Sequence, residues 1–110
     1  MTIIASPDVR KYLKELIFIL RTKGYFGFEE SAQRYVEELI MDIKQNLPVK
    51  LKKPAPAYFD KYGKQMLYAT FRKSKATQWY VFFNIYQQKG ETIFIIRYIG
   101  NNHTVAQYIL

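Results

Sequence analysis

The chain has one histidine, and it lies in a polar tail that follows an apolar run: Gly100-Asn101-Asn102-His103-Thr104-Val105-Ala106-Gln107-Tyr108. An imidazole gives or takes a proton near neutral pH without tuning, so His103 is the side chain best suited to acid-base work. A phenol at Tyr108 can stack on a base or hydrogen-bond to reacting groups. Arg72 carries a guanidinium fork that matches phosphate oxygens and stays charged. Around it, Lys50, Lys52, Lys53, Lys61, Lys64, Lys73 and Lys75 form a run of cations from residue 50 to 75 in which Asp60 is the one acid. Such a set can grip a phosphate backbone, and one lysine of depressed pKa can act as a base.

Each of these residues also has a plainer reading. His103 can cap the tail or sit in solvent, and Tyr108, one of ten tyrosines, can be an aromatic at the edge of the core. Lys50, Lys52 and Lys53 can be a solvated loop. Arg97, alone between Ile95-Ile96 and Tyr98-Ile99, cannot be buried unpaired at tolerable cost. It must reach a carboxylate, with Asp60 and Glu91 the nearest in sequence, or face a cleft as a cation. Trp79, Phe82 and Phe83 read as core.

The charge distribution favours a polyanion partner. Residues 1 to 47 carry seven Lys/Arg and seven Asp/Glu, whereas residues 48 to 110 carry ten Lys/Arg against Asp60 and Glu91, so the net +8 arises in the second part. A cationic face of this kind fits nucleic acid, although it also serves solubility or an acidic protein partner. With no cysteine, thiolate catalysis, cysteine metal sites and disulfides are excluded, and a single histidine argues against a histidine-based metal centre. No cofactor and no metal are expected. No apolar stretch approaches the roughly 20 residues that span a bilayer, and the first residues lack a signal-peptide pattern, so the expectation is a soluble cytoplasmic protein. The 110 residues suit a single domain, 1–110.

The elements that hold these groups follow from pattern. Thr2-Ile3-Ile4-Ala5 predicts a short strand, and Ser6-Pro7-Asp8 predicts a helix start with a serine cap. Val9, Leu13, Leu16, Ile17 and Leu20 recur at helical spacing up to Gly24. A second helix follows Tyr25-Phe26-Gly27-Phe28, with Ala32, Tyr35, Val36, Leu39, Ile40, Ile43 and Leu47 on one face, and stops at Pro48. The short connection predicts an antiparallel two-helix hairpin. Residues 48 to 63 show no period, hold three of the four prolines and read as a loop. Gln65 to Lys73, Gln78 to Gln87 and Thr92 to Ile99 are rich in β-formers and read as an antiparallel meander, the last two strands covered on both faces. The fold class is α+β, with a curved antiparallel meander packed on the helices.

This order of elements, with Arg72 closing the second strand, Trp79-Tyr80-Val81-Phe82-Phe83 filling the third, and Ile95-Ile96-Arg97-Tyr98-Ile99-Gly100 followed by Tyr108, resembles the RelE/ParE toxin superfamily. The resemblance implies a small domain similar to microbial ribonucleases and a toxin silenced by a cognate antitoxin. Superfamily members either cut mRNA on the ribosome, as mRNA interferases, or poison DNA gyrase; a silent binding module with the same fold is a third option. By position, Arg72 matches the arginine placed on the scissile phosphate and Tyr108 the tyrosine near the chain end. Asn102 stands where the family has an arginine, which leaves His103 as the candidate acid or base. The tail is then expected to bring imidazole and phenol toward the cations of the loop and second strand, with Lys50, Lys52, Lys53, Lys61, Lys64, Lys73, Lys75 and Arg97 holding the nucleic acid.

Overall fold

The computed structural model describes residues 1–22 and 29–109. Its elements run β1 (Thr2–Ala5), α1 (Pro7–Thr22), α2 (Glu29–Asn46), β2 (Lys53–Pro54), β3 (Leu67–Arg72), β4 (Gln78–Gln88), β5 (Glu91–Asn101) and the short α3 (Asn102–Val105), with 3₁₀ turns at Leu47–Val49, Ala57–Lys61 and Ala106–Tyr108. The class is α+β. The expected connection at Tyr25 to Phe28 lies outside the described residues.

Helix α1 starts as its sequence predicts: the Ser6 hydroxyl accepts from the Val9 amide at 3.3 Å, and Asp8 sits in the first turn, where the helix dipole favours an anion. Its buried residues Val9, Leu16 and Leu20 pack with Ala32, Val36, Leu39 and Ile43 of α2 in one core against the sheet. That core takes Ala69 and Phe71 from β3, Trp79, Val81 and Phe83 from β4, and Phe94, Ile96 and Ile99 from β5.

Strand order is β1-β5-β4-β3-β2, with β1 parallel to β5 and every other pairing antiparallel. The sheet is therefore mixed rather than wholly antiparallel. The Lys89-Gly90 turn between β4 and β5 places both residues at positive φ, 50° and 79°, the two-residue geometry whose twist matches a hairpin. A bulge interrupts the same pair. Phe82 lies opposite Tyr98 and Phe83 opposite Ile96, so Arg97 has no cross-strand partner and the alternation of β5 shifts by one. This is why Phe94, Ile96 and Ile99 all reach the helix side while Tyr98 faces the other way.

The second face is covered too, but by segments without a period. Residues 48 to 63 are not simply a loop: Lys53–Pro54 adds an edge strand to β3, and the 3₁₀ turn at Ala57–Lys61 drives Phe59 onto Phe82, ring centroids 4.3 Å apart. Phe59, Met66, Tyr68, Phe82 and Val105 form this smaller core, with Tyr98, Tyr108 and Ile109 against it. The last strand runs past Ile99, where the sequence pattern stops it, to Asn101; the tail then folds back onto this face.

Candidate nucleic-acid interface

Side chains of a strand alternate between faces, and residues directly opposite across a ladder share one. Phe71 and Ala69 go to the helix side, so Tyr68, Thr70 and Arg72 point to the second face, Tyr68 into its smaller core and Arg72 into solvent. Across the ladders Tyr68 pairs with Lys53 and Phe82, Thr70 with Tyr80, and Arg72 with Gln78. Register alone thus gathers Lys53, Thr70, Arg72, Gln78 and Tyr80 on one surface. Two hollows there share Gln78 and Tyr80. One, of about 220 Å³, is bounded by Lys53, Thr70 and Ile109; the other, of about 360 Å³, by Arg72, Lys75 and Asn102. Together they form a groove across β2, β3 and β4.

The groove can hold an anionic backbone. Arg72 is exposed, and its Nε donates to the Ser74 carbonyl at 3.1 Å, which fixes the plane of the fork while leaving the terminal nitrogens without a hydrogen bond among the described residues. Lys53 and Lys75 are exposed at the two ends of the groove. The amide of Asn102 is already engaged, its Oδ1 accepting from the Gln78 amide at 2.9 Å and its Nδ2 donating to the Ala76 carbonyl at 3.2 Å. It braces the wall rather than offering a free group.

The tail does not assemble imidazole, phenol and Arg72 into one cluster. Asn101 caps α3, its side chain accepting from the His103 amide at 2.9 Å. That turn sends Asn102 back to the β3–β4 hairpin and carries His103 to the other flank. His103 lines a separate hollow with Lys73, Tyr35 and Trp79, residues of the helix side. Tyr108 stacks flat on Tyr58, centroids 3.6 Å apart, and the Lys61 ammonium sits 3.9 Å above the Tyr58 ring. Interaction with the Tyr108 hydroxyl, and then with Lys61, holds the Tyr58 phenol below its ordinary range, while the same contact pushes Tyr108 up. Lys61 is pushed up by Tyr58 in turn.

The remaining cations separate by face. Lys52 donates to the carbonyls of Pro48 and Lys50 at 2.8 and 2.9 Å, and Lys50 and Lys52 lie over the Phe71 and Phe94 rings of the helix-side core. Lys73 lies over the Tyr35 ring, also on that side. Lys64 is exposed, and its carbonyl accepts from Asn84. Arg97 has no carboxylate within ion-pair distance among the described residues; its Nε donates to Asn84 at 2.7 Å and its Nη2 to the Tyr86 hydroxyl at 3.0 Å. It lines a cleft of its own with Asp8, Tyr12, Tyr62 and Tyr98, where burial, then Tyr62, pushes the Tyr98 phenol up to about 12.

Reading the sequence missed Tyr80 and Tyr58. In the sequence Tyr80 sits inside an apolar run, although it shares the parity of Gln78. Among the described residues no group of three or more His, Cys, Asp or Glu is placed to hold a metal ion, and no helix is long and apolar enough to cross a membrane. Comparison with protein-family models, with curated proteins and with solved structures gives no match for this chain.

Proposed function

We propose that this chain is a RelE/ParE-like toxin, with α1 and α2 as the antiparallel hairpin of that fold, that cleaves mRNA on the ribosome and is held silent by an acidic antitoxin. The observation that supports this most is the register that gathers Lys53, Arg72 and Tyr80 on the second face of the sheet, along its groove. Metal-independent cleavage of RNA moves the 2′-oxygen onto phosphorus, with loss of its proton, while the leaving 5′-oxygen gains one. Arg72 grips the nonbridging oxygens and offsets the charge that grows as phosphorus becomes five-coordinate, while Lys53, at the far end of the groove, holds a neighbouring phosphate. The Tyr80 hydroxyl, on a residue diagonal to Arg72 across the ladder, is our candidate hydrogen-bond partner for a reacting oxygen. His103 belongs to another hollow and is left out of this step.

The gyrase-directed reading is favoured by one observation: the histidine lies away from the groove and the Asn102 amide is spent, so the groove has no imidazole. Poisoning gyrase needs a binding face and no proton transfer. Controlled expression separates the two. With mRNA 5′ ends and plasmid supercoiling followed together, the expected result is new mRNA ends and translation arrest before any change in supercoiling, with both abolished by Arg72→Ala and at most reduced by His103→Ala. Supercoiling that fails first, over intact mRNA, refutes the nuclease reading. No effect on either process leaves a silent binding module.

A further inference from the structure

Arg72 ends β3 and Lys73 follows it, and their side chains go to opposite faces of the hairpin tip, Lys73 lying over the Tyr35 ring of the helix side. Arg72 lines the groove with Lys75; Lys73 lines the hollow of about 200 Å³ on the helix side, with His103, Tyr35 and Trp79. The two hollows meet at Ser74 and Thr77, which line both. The tip itself is rigidly turned: the Lys73 and Ser74 amides donate to the Thr77 carbonyl at 3.0 and 3.2 Å, and the Ser74 hydroxyl accepts from Ala76 and Thr77. Between Asp60 and Glu91 the chain has no acid, so nothing on β3, β4 or their turn neutralises these cations.

We infer that the hollow lined by Lys73 and His103 is a second phosphodiester site, in which single-stranded RNA held by the groove continues around the β3–β4 tip. This rests on the groove being the RNA site. Lys73 supplies a point charge, His103 a ring N–H donor, and the Ser74 and Thr77 backbone keeps the two sites at a fixed separation. The charge of the tip selects a phosphate backbone over an apolar segment. A tail that carries the lone histidine to this side has a use there, as a ligand of the substrate rather than a proton carrier.

Trp79, the chain's sole tryptophan, lines this hollow and donates its indole N–H to the Tyr35 hydroxyl at 2.9 Å, so its fluorescence reports the site directly. The experiment titrates the full chain and its Lys73→Gln, His103→Gln and Arg72→Ala variants with a single-stranded trinucleotide and a decanucleotide over a range of salt. The decanucleotide is expected to change Trp79 emission and the trinucleotide to bind without doing so. Lys73→Gln should lower the slope of log affinity against log salt by about one for the decanucleotide only. His103→Gln should weaken the decanucleotide and leave the trinucleotide unchanged. Equal slopes for wild type and Lys73→Gln overturn the inference, as does inorganic phosphate reproducing the emission change when the decanucleotide does not, which would mark a free-anion site. If Arg72→Ala lowers the slope while Lys73→Gln does not, the groove stands and the second site falls. If neither RNA binds in a salt-dependent manner, the groove reading fails with it.

Discussion

Phe59→Ala tests whether the aperiodic segment and the tail are held to the sheet by a single anchor. Phe59 is 1% exposed, stacks on Phe82 at 4.3 Å, and meets Tyr58 and Tyr108 edge-on at 5.0 and 6.3 Å. A buried phenylalanine hides roughly 150 Å² of surface, close to 4 kcal/mol at ~25 cal/mol per Å². Buried Phe→Ala changes cost about 3–5 kcal/mol, and a site beneath a short 3₁₀ turn can partly collapse, so the expected loss is about 3 kcal/mol. Urea unfolding at neutral pH measures it. The same variant should lose amide protection in residues 57–61 and 102–109 together, because both segments pack in the smaller core, while α1 and α2 keep theirs. RNA cleavage should fall with it, since the groove's rim at Ile109 belongs to the tail. A stability loss under about 1 kcal/mol, or a tail that stays protected, refutes the anchor.

Lys52 and Lys53 are neighbours with opposite roles: Lys53→Ala should weaken RNA binding and shift stability by no more than about 0.5 kcal/mol, whereas Lys52→Ala should leave RNA binding alone and cost about 1 kcal/mol by freeing the Pro48 and Lys50 carbonyls. Salt-dependent RNA affinity and urea midpoints on the two variants decide it. Tyr98 has its folded pKa raised from 10.0 to about 12, so its contribution is complete below pH ~10 and is lost as pH rises toward about 12, because the unfolded phenol ionises first. Screening at a half-exposed ring limits that loss to about 1–2 kcal/mol. Tyr98→Phe should therefore lose less stability than wild type between pH 9.5 and 11.5, and parallel urea midpoints for the two would count against burial as the cause.

What was legible in the sequence was whatever carries a period. The helix faces of Val9 to Leu20 and Ala32 to Leu47 needed no tertiary information, because each spacing already demands a common partner surface. The two-sided strands declared a core on both faces. What covers the second face was not legible. Lys53–Pro54 is too short to show alternation, and Phe59 is a single apolar residue whose partner, Phe82, is remote in sequence. The bulge at Arg97 was hidden for a similar reason: parity inside Ile95-Ile96-Arg97-Tyr98-Ile99 gives no sign of where the register slips.

The candidate site divides along the same line. That Arg72 faces away from the helices follows from alternation once Phe71 is assigned to the helix core, and Lys73, the next residue, lies on the other side over Tyr35. The position of His103 could not be reached that way. It depends on α3, whose orientation is set by the Asn101 cap and by the Asn102 amide, which accepts from Gln78 and donates to Ala76 in a hairpin more than 20 residues earlier. Asn102 ties the tail to the β3–β4 tip through both ends of its amide. Asn102 thus helps fix where the histidine goes, and the tail that reads as a source of acid becomes a wall with cations on both sides.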